Sequence, residues 1–431
     1  MEQLTHVFRG LLGIIVFLGI AIAFSENRRA ISWRIVIMGM LLQFIFAGLV
    51  LHVDFVRGGV ELVGSGFVKL LDFTNAGTRF VFGSLLDTSK HGVIFGLAIL
   101  PTVIFFSAFT SMLYYLGILQ KIVWGFAWIM SKTMRLSGAE TLSASANIFL
   151  GQTEAPLLIK PYLATMTRSE LLCVMIGGMA TIAGGVMLIY ITMLGGPDPQ
   201  QQIIFATHLI TKSVISAPAA LMIAKILLPQ TEEVSRDITI SKEKIGSNLL
   251  DAICIGTTDG LRLAVNIGGM LIVFTALVAF FNYLLSAGIG GPTGLNLWVE
   301  SATHGTFKTF SLEFIFGMLF APVAWLMGID GPWILASGQL LGTRTVLNEF
   351  VAYIQLSDLK TAGKFTDPRS LMILTYALCG FANIVSIGIQ VGGIGALAPS
   401  QRGNLAKLGI KALIGGSIAC FLTACVAGML T

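Results

Sequence analysis

Apolar stretches long enough to cross a hydrocarbon core of roughly 30 Å recur along the whole chain, and no other property narrows its fold so far. Candidates fall near residues 8–24, 32–51, 93–118, 171–195, 203–228, 262–286, 370–395 and 408–430. They predict an all-α polytopic membrane protein with eight transmembrane helices. Composition agrees, because 55% of the residues are hydrophobic and only 11% charged, against about 25% charged in a soluble domain. The longest polar stretch, about Pro229 to Lys244, is too short to bury a core and reads as a connecting loop. The first apolar run lacks a strongly basic start, and Ser25-Glu26-Asn27-Arg28-Arg29 is a poor cleavage site, so it reads as a retained helix.

Charge then orders the spans. Arg28, Arg29 and Arg34 follow the first; Lys121, Lys132 and Arg135 follow the third; Lys160 and Arg168 precede the fourth. Arg236, Lys242 and Lys244 follow the fifth, and Arg402 and Lys407 lie between the last two. Placing all of these in the cytoplasm gives one alternating path with both termini outside, where Lys360, Lys364 and Arg369 also fall. The net charge of +5 is therefore an orientation signal and not a nucleic-acid footprint. The five cysteines have no metal or redox spacing and read as small packing residues, while the scattered histidines offer no proton relay.

Several segments do not read as simple spans. Residues 53–90 and, on the cytoplasmic side, 245–261 mix charges among apolar positions, which suits helices lying in the interface or packed against the bundle. Residues 137–165 and 312–356 are apolar but interrupted by Gly, Pro and carboxylates, and their two ends lie on the same side. Each is predicted to be a re-entrant hairpin. A weak internal repeat accompanies them. Gly178-Met-Ala-Thr-Ile-Ala-Gly184 in the fourth span matches Gly380-Phe-Ala-Asn-Ile-Val-Ser386 in the seventh, and the two spans run in opposite directions. A hairpin followed by broken spans thus occurs twice in inverted orientation, an architecture of secondary transporters.

Carboxylates at membrane depth mark the candidate site, since each costs on the order of 2.5–3.5 kcal/mol on insertion scales and is kept where it faces a partner or a cavity. In Asn147-Ile-Phe-Leu-Gly-Gln-Thr-Glu-Ala-Pro156, Gly151 and Pro156 bracket an unwound turn that groups Gln152, Thr153 and Glu154. The plain alternative is a cap that closes the hairpin. In Thr343-Arg-Thr-Val-Leu-Asn-Glu-Phe350, Glu349 is able to accept from two vicinal hydroxyls, or else to pair with Arg344. Phe381, Asn383 and Ser386 in the seventh span offer a ring and two polar groups, or helix-packing contacts. In the fourth, Thr181 and Ile182 offer a hydroxyl and a carbonyl, and Val186 an apolar wall. Asp259 beside Arg262 reads as a structural pair. No nucleophile with an adjacent base and no metal cluster stands out, which disfavours a membrane-embedded enzyme.

These strings resemble the concentrative nucleoside transporters. The similarity lies in Asn147 to Ile159, Asp259 to Asn266, Gly342 to Tyr353, Tyr376 to Asn383 and Ala398 to Arg402, in order over roughly residues 90 to 431. The resemblance implies sodium-coupled uptake of nucleosides such as uridine, by elevator-like alternating access in a homotrimer of the shorter bacterial type in the inner membrane. It implies a scaffold from residues 1–120 and 246–311 and a transport part from 121–245 and 312–431. It places the nucleobase at Gln152, Thr153, Glu154, Val186 and Phe381, and the ribose at Glu349, Asn383 and Ser386. It assigns sodium to the side chains of Asn147 and Thr181 and the carbonyls of Leu150 and Ile182, with no organic cofactor. Proton coupling is the alternative within transport and a passive channel the alternative beyond it. The choice between purines and pyrimidines is not written in these strings.

Overall fold

The computed structural model describes residues 2–91, 94–235 and 245–431. Arg236, Lys242 and Lys244 lie outside them. The described residues fold as helices with no strand among them. The longer helices are α1 (Glu2–Ala23), α2 (Trp33–His52), α3 (Asp54–Phe82), α4 (Leu100–Tyr115), α5 (Ile118–Met134), α6 (Gly138–Ala146), α7 (Arg168–Ala180) and α8 (Gly184–Gly195). They continue as α9 (Pro199–Leu227), α10 (Leu249–Tyr283), α11 (Leu312–Leu326), α12 (Ile334–Val346), α13 (Glu349–Thr361), α14 (Pro368–Leu378), α15 (Ile384–Leu397) and α16 (Arg402–Leu430).

Among the described residues, six helical stretches are long and apolar enough to cross a membrane, and they correspond to the first, second, fourth, fifth, sixth and eighth expected spans. The other two depart from regular helices. The third is α4, which ends after 16 residues and meets α5 at a bend of 79°. The seventh is divided into α14 and α15, because residues 379–383 leave the helical path. The fourth breaks likewise between α7 and α8, where Thr181 is extended.

Helix ends fall into two opposite sets. At one end Glu26 meets Arg168 at 3.4 Å and Lys411 at 2.5 Å, and its N–H donates to Leu227 O at 3.0 Å. The hydrogen bond from Lys411 holds the Glu26 carboxyl below its ordinary pKa. At the other end Arg9 pairs with Asp330 at 3.0 Å, and Arg369 donates to the carbonyls of Gly328 and Gly428. α1 and α16 each run from one set to the other, as an alternating path requires.

The segment at 53–90 contains one amphipathic 29-residue helix, α3, packed on α2 and α9. The segment at 245–261 corrects the sequence reading. Most of it is the first part of the 35-residue α10, continuous with the sixth span, because nothing in Leu249–Tyr283 breaks the helical register. α10 lies along α4 at close range. A Cβ on Gly256 would stand 2.5 Å from Ser111 Oγ, and one on Gly260 2.8 Å from Ile104 Cα, so this pair depends on small residues four apart. Away from α4, α10 exposes Leu250, Val265, Ile272 and Phe280.

Both hairpins form. The first descends through α6, turns at residues 147–154 and returns through a 3-10 turn at Ala155–Ile159. α6 opens with a capping box between Ser137 and Glu140, and α7 with another between Thr167 and Glu170. Lys225 of α9 joins the two starts, reaching Glu140 at 2.7 Å and Ser169 Oγ at 2.9 Å, with the Lys225 and Glu140 side chains only 2% and 1% exposed. The second hairpin is α12 and α13 with its tip at Leu347 and Asn348. Gln355 accepts from Gln339 at 3.4 Å and from Thr343 at 3.2 Å, which fixes the two arms as antiparallel. Its bounds are later than the expected 312–356, because α11 is a separate helix packed along α12.

Candidate functional site

The hairpin tips and the helix breaks meet. The N–H of Gly184, just past the first break, donates to Phe149 O in the first hairpin at 3.1 Å. Phe381 N–H in the second break donates to Thr181 O in the first at 3.3 Å. Unwound backbone is thus paired across elements, the condition on which irregular structure survives at membrane depth. Lys212 of α9 is fully buried behind this crossing and donates to Ala180 O, the end of α7.

In front of the crossing lies a cavity of about 690 Å³. All eight residues predicted to hold substrate line it: Gln152, Thr153 and Glu154 from the first tip, Val186 from α8, Glu349 from the second hairpin, and Phe381, Asn383 and Ser386 from the second break. Their mutual contacts are specific. Glu349 accepts from Tyr190 OH at 3.1 Å and from Asn383 Nδ2 at 3.0 Å. Asn383 Oδ1 caps α15 by accepting from Ser386 N at 2.9 Å, so the same side chain ends a helix and aims its amide at the carboxylate. Glu349 is the first residue of α13, where the helix dipole favours negative charge. Its expected alternative partner, Arg344, instead faces the Phe421 ring at 5.6 Å, and its three guanidinium nitrogens have no acceptor among the described residues. Glu154 joins both readings given to it: its Oε2 accepts from Gly151 N at 3.1 Å, closing the turn, and its side chain lines the cavity.

Of the four residues assigned to sodium, Leu150 lines the cavity, and Asn147, Thr181 and Ile182 are buried behind it. Asn147 donates through Nδ2 to Ser143 O at 3.0 Å, but its buried Oδ1 has no partner among the described residues. Thr181 donates its hydroxyl proton to Gly177 O at 2.9 Å, leaving oxygen lone pairs free. Among the described residues no backbone N–H donates to the carbonyls of Leu150 or Ile182. Such oxygen donors suit a small hard cation.

Three contributions escape the sequence reading. Tyr190 supports Glu349 and stacks on Tyr353 with ring centroids 4.0 Å apart. Gln390, one helical turn after Ser386, holds Gln152 at 3.0 Å. Asp259, Arg262 and Asn266 of α10 also line the cavity, and among the described residues no ion pair joins Asp259 to Arg262. A polar residue four positions from Ser386 was the available signal for Gln390. Nothing local marks Tyr190.

Two hairpin tips set against two broken helices, around a mainly apolar cavity into which those elements bring polar side chains, define a secondary transporter. Comparison with known proteins supplies the family. Residues 208–428 and 12–85 match the models for the C-terminus and N-terminus of Na+ dependent nucleoside transporters, and residues 97–197 match one for nucleoside recognition. An uncharacterized transporter of Haemophilus influenzae is 40% identical over 98% of this chain and 97% of its own length. Solute carrier family 28 member 3 of Eptatretus stoutii is 41% identical over 97% of this chain, which spans 60% of that longer protein. The structure of CNTnw in an inward-facing substrate-bound state superposes with a TM-score of 0.87 at 35% identity, covering 99% of this chain and 98% of that one. A CNTnw variant in an outward-facing state gives 0.90 at 34% identity, covering 100% and 99%. The chain belongs to the Na+-dependent nucleoside transporter family, whose members are carriers and not enzymes.

Proposed function

We propose that this chain carries nucleosides such as uridine into a bacterial cell with sodium, binding the substrate in the cavity between the hairpin tips and the broken helices. The observation that carries this reading is the bridge from Glu349 through Asn383 to Ser386, in one cavity with Gln152, Thr153 and Glu154. A carboxylate held from behind by Tyr190 is ready to accept from two ribose hydroxyls, and Phe381 and Val186 offer apolar surface to the base. Sodium falls to Asn147, Leu150, Thr181 and Ile182, where the orphaned Asn147 Oδ1 would gain its missing partner. Ion and substrate would then steady the same hairpin tip from two sides, and each favours the other's binding.

The cavity extends toward Tyr114 and Ile245, the end that the basic loops assign to the cytoplasm, which matches an inward-open state. Movement of the hairpins and breaks past the paired α4 and α10 would carry the site across. The exposed apolar face of α10 suits contact with lipid or with neighbouring copies in a trimer. The test is uptake of radiolabelled uridine by purified protein in liposomes, with an inward sodium gradient or choline in its place at fixed pH. Accumulation in sodium alone is expected. Uptake driven by an acid exterior and indifferent to sodium would reassign the coupling to protons, and no uptake of any nucleoside would sink the reading.

A further inference from the structure

Gln390 is fully buried on α15 and hydrogen-bonds Gln152 of the site. Its Nε2 donates to two acceptors at 3.0 Å each, the backbone carbonyl of Met175 on α7 and Oε1 of Gln152. The main chain fixes the sense of these bonds. Met175 O is able only to accept, so Gln390 must turn its NH2 group toward it. The second hydrogen of that group points at Gln152, which must answer with its carbonyl oxygen. The Gln152 NH2 is then left to donate to Ser386 Oγ at 3.2 Å, and both residues line the cavity. Two amides whose ends are otherwise interchangeable are set by one backbone group. Gly178 permits the approach, since a Cβ there would stand 2.7 Å from Gln390 Nε2 and 2.8 Å from Gln152 Cβ.

We propose that Gln390 is a positioning residue that sets base specificity. By holding the Gln152 amide with its NH2 toward the cavity, it makes this part of the site a hydrogen-bond donor. Such a donor suits nucleobases that present a ring carbonyl there, uracil and hypoxanthine, over those that present an exocyclic amine, cytosine and adenine. A donor set against an amine leaves buried polar groups unpaired, and that mismatch costs more than a matched bond gains. Without Gln390 the amide is free to turn over and offer either end. This inference rests on the nucleoside reading above.

The experiment is competition against radiolabelled uridine uptake in sodium, with unlabelled uridine, cytidine, inosine and adenosine. The wild type is expected to favour uridine over cytidine, and inosine over adenosine, by about fivefold or more. Gln390→Met, similar in volume, should bring both ratios to within about twofold of unity while uridine uptake persists. Gln152→Ala should flatten the ratios likewise, and Gln390→Met added to it should change them no further. If the Met variant does not fold, Gln390→Asn serves, being polar but too short to reach both acceptors. Ratios unmoved by either variant, a parallel loss of all four nucleosides, or a wild type indifferent to the exocyclic group would each overturn the proposal while transport stands. A wild type that moves no nucleoside would remove the underlying reading with it.

Discussion

At the scale of single residues, polar side chains at the site act in two directions at once. Asn383 caps α15 with its oxygen and serves Glu349 with its nitrogen, and Glu349 is seated by the α13 N-terminus and by Tyr190. Charge at Glu349 is the part that an isosteric change removes. Glu349→Gln is expected to cut uridine uptake by about 100-fold or more, since each of two hydrogen bonds to a charged group contributes about 1.5–3 kcal/mol. Tyr190→Phe should raise the KM for uridine by about tenfold and leave the fold intact, because it removes one support of the carboxylate and not the carboxylate itself. Near-normal uptake by the Gln variant in proteoliposomes would end the ribose assignment. Glu349 was legible in the sequence because a carboxylate in an apolar run has few structural reasons to be there, and Asn383 and Ser386 because they stand in the internal repeat beside Gly380. Tyr190 was not, since tyrosine is at home in a membrane helix and only its neighbour across the fold gives it a task.

At the scale of elements, the first hairpin is tied to the body through charge. Lys225 of α9 reaches Glu140 at the start of α6 and Ser169 at the start of α7, all buried. Breaking such a pair leaves a buried charge with no counterpart, so Glu140→Ala should destabilise the protein by about 3–5 kcal/mol. Glu140→Ala combined with Lys225→Met should recover most of that loss. Survival of monodisperse protein after heating in detergent reads both, and strictly additive losses would show that the two residues act apart. Neither partner stands out in the sequence, because a lysine near a helix end and a capping glutamate are each ordinary alone. The hairpins and the broken seventh span were legible, since Gly, Pro and carboxylates inside apolar runs forbid a continuous helix. The extent of α10 was not, because charges along its first turns resemble those of an interfacial helix until its packing on α4 is seen.

At the scale of the whole molecule, ion and substrate should share one body of structure. Their proposed sites lie on two sides of the first hairpin tip, so occupancy of either favours the conformation that binds the other. Uridine at a hundred times its Kd should stabilise the purified protein by about 2.7 kcal/mol in sodium. The gain should shrink markedly in choline, and sodium should in turn protect more in the presence of uridine than alone. Thermal denaturation followed by gel filtration checks this, and equal protection by uridine in both salts would uncouple the sites.

The sequence by itself determined that the chain is a bundle of membrane helices, that it holds two hairpins and a broken seventh span, and which residue types gather at their tips. These follow from the cost of placing charge and unpaired backbone in lipid, a local penalty that each segment carries wherever it packs. Only the tertiary structure decided how those tips meet: that Tyr190 stands behind Glu349, that α10 supplies part of the cavity wall, and that Met175 O, through Gln390, orients Gln152. The hydrogen bonds among them join residues 159 to 238 positions apart, and their direction exists only once the helices have packed.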